Sequence, residues 1–102
     1  MKVRYTPRAT RHMRGIAAYL RAQSPMAMRN VVRRIRDVTE LLSEFPEIGH
    51  AGTLVGTREI GVPGLPYVIV HRIDLDAVSI VGVYHTAQLR PGQPVVPDDG
   101  SS

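Results

Sequence analysis

Arg58, Arg72 and His85 are the residues of this 102-residue chain whose types suit chemistry on a phosphodiester. A histidine titrates near neutral pH and can give or take the proton of an attacking or leaving oxygen, while guanidinium groups stabilise the charge that develops on phosphate. All three fall in or at the end of strand-like runs, so a sheet that gathered them on one surface would create a nuclease-like site. A structural reading competes with this. His85 would then cap a strand end through a backbone hydrogen bond, and Arg58 would pair with Glu59 or another acid. Spacing alone leaves both open. The chain has no cysteine, which excludes disulfides, thiolate metal sites and cysteine nucleophiles. No cofactor and no metal is expected.

The elements that must position these residues are legible from pattern. Residues 57–62, 67–74 and 77–85 are rich in β-branched and aromatic side chains and are separated by Pro63-Gly64-Leu65-Pro66 and by an Asp-bounded break. That composition predicts three consecutive antiparallel strands. Ahead of them, Lys2 to Thr6 alternates as a short strand. Thr6-Pro7 and Ser24-Pro25 each place a capping hydroxyl before a proline, the start signal of a helix. The first helix is expected to run to about Gln23, with Met13, Ile16, Ala17 and Leu20 on one face. The second is expected to run to about Phe45, with Val31, Val32, Ile35, Val38, Leu41, Leu42 and Phe45 at helical spacing. Ile35 and Leu42 should face the sheet and Arg34 should be exposed.

Pro46 ends that helix, and residues 47–56 read as a glycine-punctuated loop. Residues 86–89 could form one turn of helix. Residues 92–102, rich in Pro and Gly with few bulky apolar groups, read as a disordered tail behind a domain of residues 1–91. The order β-α-α-β-β-β implies an α+β two-layer domain, a helical hairpin packed on one face of an antiparallel-rich sheet, with the first strand pairing one of the late strands.

Charge is split along the chain. Residues 1–36 hold ten basic groups and no acid, and the remainder holds three basic and nine acidic groups, so the halves carry +10 and −6. An anionic partner for the first half is the implication. No apolar run approaches the roughly 20 residues needed to cross a bilayer, and the expected location is the cytoplasm. A plain nucleic-acid-binding domain is disfavoured, since one phenylalanine and no tryptophan leave little for base stacking. Direct nucleic-acid binding is not expected.

The runs Thr57-Arg58-Glu59-Ile60, Pro63-Gly64-Leu65-Pro66-Tyr67-Val68-Ile69-Val70 and His85-Thr86-Ala87-Gln88, with the preceding Phe45-Pro46-Glu47-Ile48-Gly49, resemble the ParE branch of the RelE/ParE toxin superfamily. The resemblance covers roughly residues 2–91. It implies a RelE/ParE-like fold, a cytoplasmic toxin of a type II toxin–antitoxin system, a cognate ParD-like antitoxin as partner and DNA gyrase as target, the toxin acting as a binder that poisons an enzyme. Under it, an acidic, amphipathic antitoxin segment would meet Arg11, Arg14, Arg33 and Arg36.

The superfamily also contains ribosome-dependent messenger-RNA endonucleases similar to RelE, for which Arg58, Arg72 and His85 would be the catalytic candidates. Such nucleases usually carry an arginine at the opening of the strand that here begins with Tyr67, and lysines or a glutamate upstream, whereas the one lysine here is Lys2. Two departures from the ParE pattern are His50, where arginine is frequent, and Arg90, where tryptophan is frequent.

Overall fold

In a computed structural model of the chain, residues 1–88 are described. The expected tail and Arg90 lie outside the described residues. The elements are β1 (Lys2–Tyr5), α1 (Pro7–Gln23), α2 (Pro25–Glu44), β2 (His50–Ala51), β3 (Arg58–Gly61), β4 (Tyr67–Ile73), β5 (Ala77–His85) and a 3-10 turn (Thr86–Gln88).

Both helices start as the capping signals dictate. Thr6 Oγ1 accepts from the Ala9 amide at 3.2 Å and donates to the Ile80 carbonyl at 2.9 Å, so one hydroxyl caps α1 and ties its first turn to β5. Ser24 serves two helices. Its amide donates to Leu20 O at 2.8 Å, closing α1, while its Oγ accepts from Ala27 N at 3.2 Å, opening α2. The hairpin therefore turns on a single residue.

The sheet has the order β1-β5-β4-β3-β2. β1 pairs with β5 in parallel, Lys2 beside Ala77 through Tyr5 beside Ile80, and the other pairings are antiparallel. The one strand that sequence reading did not foresee is β2. His50 and Ala51 lie in the stretch read as loop and pair with Glu59 and Arg58. Two residues flanked by glycines give no alternation to detect. Gly49, at φ +92°, approaches the Glu59 backbone so closely that a Cβ would collide with it, which is how the chain bends into β2.

The helices cover one face of the sheet. Ile35, Val38 and Leu42 of α2 and Ala9 and Met13 of α1 pack with Ile69, Val78, Ile80 and Val83. Ile35 and Leu42 are fully buried, as their spacing predicts, and each such side chain contributes about 1.5–3 kcal/mol by leaving water. Leu41 and Phe45 belong to the same apolar series but remain exposed. They sit to one side of the stripe that meets the sheet. In the β4–β5 ladder the register shifts between Val70 and His71, which oppose Gly82 and Ile80, so Val81 is an extra residue that bulges the strand.

Candidate functional site

The helical hairpin and β1 enclose an open cleft of about 440 Å³, lined by Tyr5, Thr10, Met13, Arg14, Ala17, Val32 and Arg36. Its floor is set by a short relay of hydroxyls. Thr39 Oγ1 donates to Arg36 O at 2.8 Å, so in its 2.7 Å contact with Tyr5 the phenol is the donor. Tyr5 is thereby fixed between β1 and α2, with Met13, Ala17 and Val32 around it. Arg14 and Arg36 stand at the mouth with exposed side chains.

Of the four arginines singled out in the first half, the fold brings these two to one cleft. Arg11 is exposed one turn earlier on α1. Arg33 is on the outer face of α2, donating to Asn30 Oδ1 at 3.4 Å. Neither lines the cleft. Arg34, expected to be merely exposed, donates from its guanidinium to Pro63 O and packs over Gly64, whose φ of +74° makes the β3–β4 turn. It clamps that turn to α2.

Arg58, Arg72 and His85 do not converge. Along β4, Arg58 is in register with His71 and His85 with Tyr67. Four residues at about 3.3 Å each put the two positions about 13 Å apart. Arg72 follows His71 and so points to the helix-free face. There its Nε contacts Asp74 Oδ1 at 2.9 Å, while Arg4 Nη2 reaches Asp74 Oδ2 at 3.0 Å and Ser79 Oγ donates to the same oxygen at 2.5 Å. These bonds, Arg72's first and then Ser79's, hold the Asp74 carboxyl far below the usual carboxylate range.

His85 behaves as a strand-end cap. Its Nδ1 accepts from Ala87 N at 3.1 Å, and its own amide donates to Gln88 Oε1 at 2.8 Å. The lone pair that a general base would use is engaged in the neutral ring, whose proton is then on Nε2. Tyr67 meets this ring edge-on, 5.5 Å between centroids, and burial followed by the nearby Tyr19 pushes its phenol pKa up. Arg58 does not pair with Glu59. It donates from Nη2 to Gly49 O at 3.0 Å, because neighbours in a strand point to opposite faces.

Two histidines that sequence reading passed over, His71 and His12, tie elements together through backbone groups. His71 is fully buried and bonds Pro46 O through Nε2 at 2.8 Å, tying the end of α2 to β4. Its pKa is lowered by burial and by Arg58, against the effect of the Pro46 bond. His12 accepts from Val83 N at 3.1 Å and meets the Tyr84 ring at 4.8 Å. It seals the edge of β5 beyond the point where β1 ends. The signals were present: His71 alternates with Ile69, and His12 adjoins Met13 on the buried stripe. Among the described residues no cluster of three or more His, Asp or Glu could hold a metal, and no helix is long and apolar enough to cross a membrane.

Comparison with known proteins bears on this geometry. Residues 3–90 match the family described as the ParE toxin of the type II toxin–antitoxin system parDE. The toxin candidate Y4kP of Sinorhizobium fredii is 38% identical over 90 residues, covering 88% of this chain and 93% of that protein. Toxin RelE2 of Caulobacter vibrioides is 32% identical over 88 residues, covering 86% and 98%. A solved structure of the chromosomal ParDE system from P. aeruginosa matches with a TM-score of 0.74 over 83% of this chain and 95% of that one, at 16% identity. That likeness confirms the two-layer fold. Matched over nearly all its described length, the chain belongs to the ParE family of type II toxin–antitoxin toxins.

Proposed function

We propose that this protein inhibits DNA gyrase by binding it, and that a cognate ParD-like antitoxin neutralises it by seating an acidic, amphipathic segment in the cleft between α1, α2 and β1. The observation that carries the antitoxin half is the cleft itself. An apolar floor of Tyr5, Met13, Ala17 and Val32 lies beneath two exposed guanidiniums, Arg14 and Arg36, and an amphipathic helix offers the complementary pattern of apolar anchors beside carboxylates. Arg11 and Arg33 extend the positive field along the outer helix surfaces and would steer the encounter. Action in the cytoplasm, where gyrase works, accompanies this reading.

The binder reading of the toxic half is supported by the separation of Arg58, Arg72 and His85 and by the occupied lone pair of His85. The second reading, a ribosome-dependent messenger-RNA endonuclease, is favoured by the similarity to Toxin RelE2. One experiment separates them. The purified toxin is added to gyrase supercoiling and cleavage-complex assays and, in parallel, to translating ribosomes. Trapped gyrase–DNA complexes with intact messages are the expected result, whereas codon-register message cleavage with unaffected gyrase would replace the first reading by the second.

A further inference from the structure

The tip of the β4–β5 hairpin combines an exposed apolar side chain with rigid support. Leu75 sits between Asp74 and Asp76 at the turn and is fully exposed, and Ile73 just before it is partly exposed. Turn conformation gives no reason for a leucine there, since such positions favour Asp, Asn, Gly or Ser. A single exposed leucine is ordinary on a protein surface. What sets this one apart is the bracing beneath it. Asp74 N donates to Ala77 O at 2.8 Å, and the Asp74 carboxylate takes bonds from β1 (Arg4), β4 (Arg72) and β5 (Ser79). Three strands thus hold the tip in one orientation. A preorganised anchor loses little conformational freedom on binding.

The surround carries its own charge signature. Lys2 is in register with Ala77, and Arg4 and Arg72 flank Ser79 from either side, so three cations lie on the helix-free face beside the tip. The carboxylates there are Asp74, already bonded, and Asp76. Both arginine side chains remain about half exposed, at 56% and 47%, and can offer further donors to a partner's carboxylate. The cleft assigned to the antitoxin opens on the helical side of the sheet, at the other end of β1.

We infer that the hairpin tip is the surface by which the toxin engages its target enzyme, inserting Leu75 into an apolar pocket rimmed by acidic side chains. This rests on the reading of the protein as an enzyme-poisoning binder. The test compares full-length wild type with Leu75→Asn, which suits a turn, and Lys2→Glu, which leaves the Asp74 bonds in place. Growth inhibition on induction, gyrase inhibition, antitoxin affinity and thermal midpoint are measured for each. Loss of a buried anchor is expected to weaken target inhibition about 30-fold or more, and Lys2→Glu to slow association in a salt-dependent way, with antitoxin affinity and melting unchanged. Full toxicity in both variants would overturn the inference. So would a parallel loss of antitoxin affinity, or a wild-type self-association abolished by Leu75→Asn in sedimentation, which would assign the tip to those partners instead. If wild type stops growth without touching gyrase, the gyrase reading fails while the growth comparison still decides the role of Leu75.

Discussion

Arg14 of α1 and Arg36 of α2 face one cleft from two helices, on either side of the Tyr5 ring that β1 supplies as its floor. Two charges separated by 22 positions in sequence therefore act on one ligand. Replacing both by glutamate is expected to slow antitoxin association about tenfold or more and to reduce its salt dependence. Stopped-flow kinetics at two ionic strengths read this directly. Arg33→Glu, on the outer face, is the control and should alter the association rate less.

Stability should divide along the buried stripe of α2. Ile35→Ala or Leu42→Ala, at fully buried positions, is expected to cost about 2–5 kcal/mol. Arg34→Ala is expected to cost about 1 kcal/mol, through loss of the bond to Pro63 O. Urea denaturation measures all three, and equal costs at Ile35 and at an outer residue such as Arg33 would mean that α2 is rotated about its axis.

Acid should weaken the fold in two windows. His71 has a lowered pKa in the folded state, so the unfolded chain takes up its proton first. Its contribution is complete above about pH 6.5 and diminishes as pH falls toward the folded-state value. A His71→Phe variant should lose this mildly acid limb in a plot of thermal midpoint against pH, whatever its absolute stability.

Asp74 has a depressed pKa as well, so the bonds to Arg4, Arg72 and Ser79 are at full strength above the ordinary carboxylate range and are lost as pH falls below it. Asp74→Asn should flatten the strongly acid limb and leave the His71 limb in place. Exchange of the Asp74 amide, which donates to Ala77 O, followed by NMR, would report the opening of the turn.

His85→Gln is expected to leave toxicity within about threefold of wild type. The glutamine can keep an acceptor near Ala87, and a binding surface loses little by the exchange. Removing a true proton-transfer group would cost about 10²–10⁴-fold in rate, a difference that growth inhibition at graded induction resolves.

Much of this was readable from the residues because local and global preferences agree. Thr6-Pro7 and Ser24-Pro25 start helices where capping chemistry says they must, and the 3.6-residue series finds Ile35 and Leu42 in the core. What escaped were relations set by register. Nothing in the spacing of Arg58, Arg72 and His85 discloses that pairing along β4 turns Arg58 of β3 and Arg72 of β4 to opposite faces and sets His85 of β5 beside the far end of β4. His71 and His12 escaped for a related reason. Their partners are the Pro46 carbonyl and the Val83 amide, and backbone groups carry no side-chain signature.

The parallel pairing of β1 with β5 has a consequence in time. Lys2 waits for Ala77 and Tyr5 for Ile80, so the first strand made finds its place only after nearly the last strand has been translated. Contacts so distant in sequence form slowly, and domains generally complete folding as whole units. A nascent chain stalled before Ala77 lacks the partner for β1, the acceptor for the Thr6 hydroxyl and the backbone that His12 seals. Synthesis itself thus delays the toxic fold, and interrupted translation leaves behind fragments that cannot assemble it.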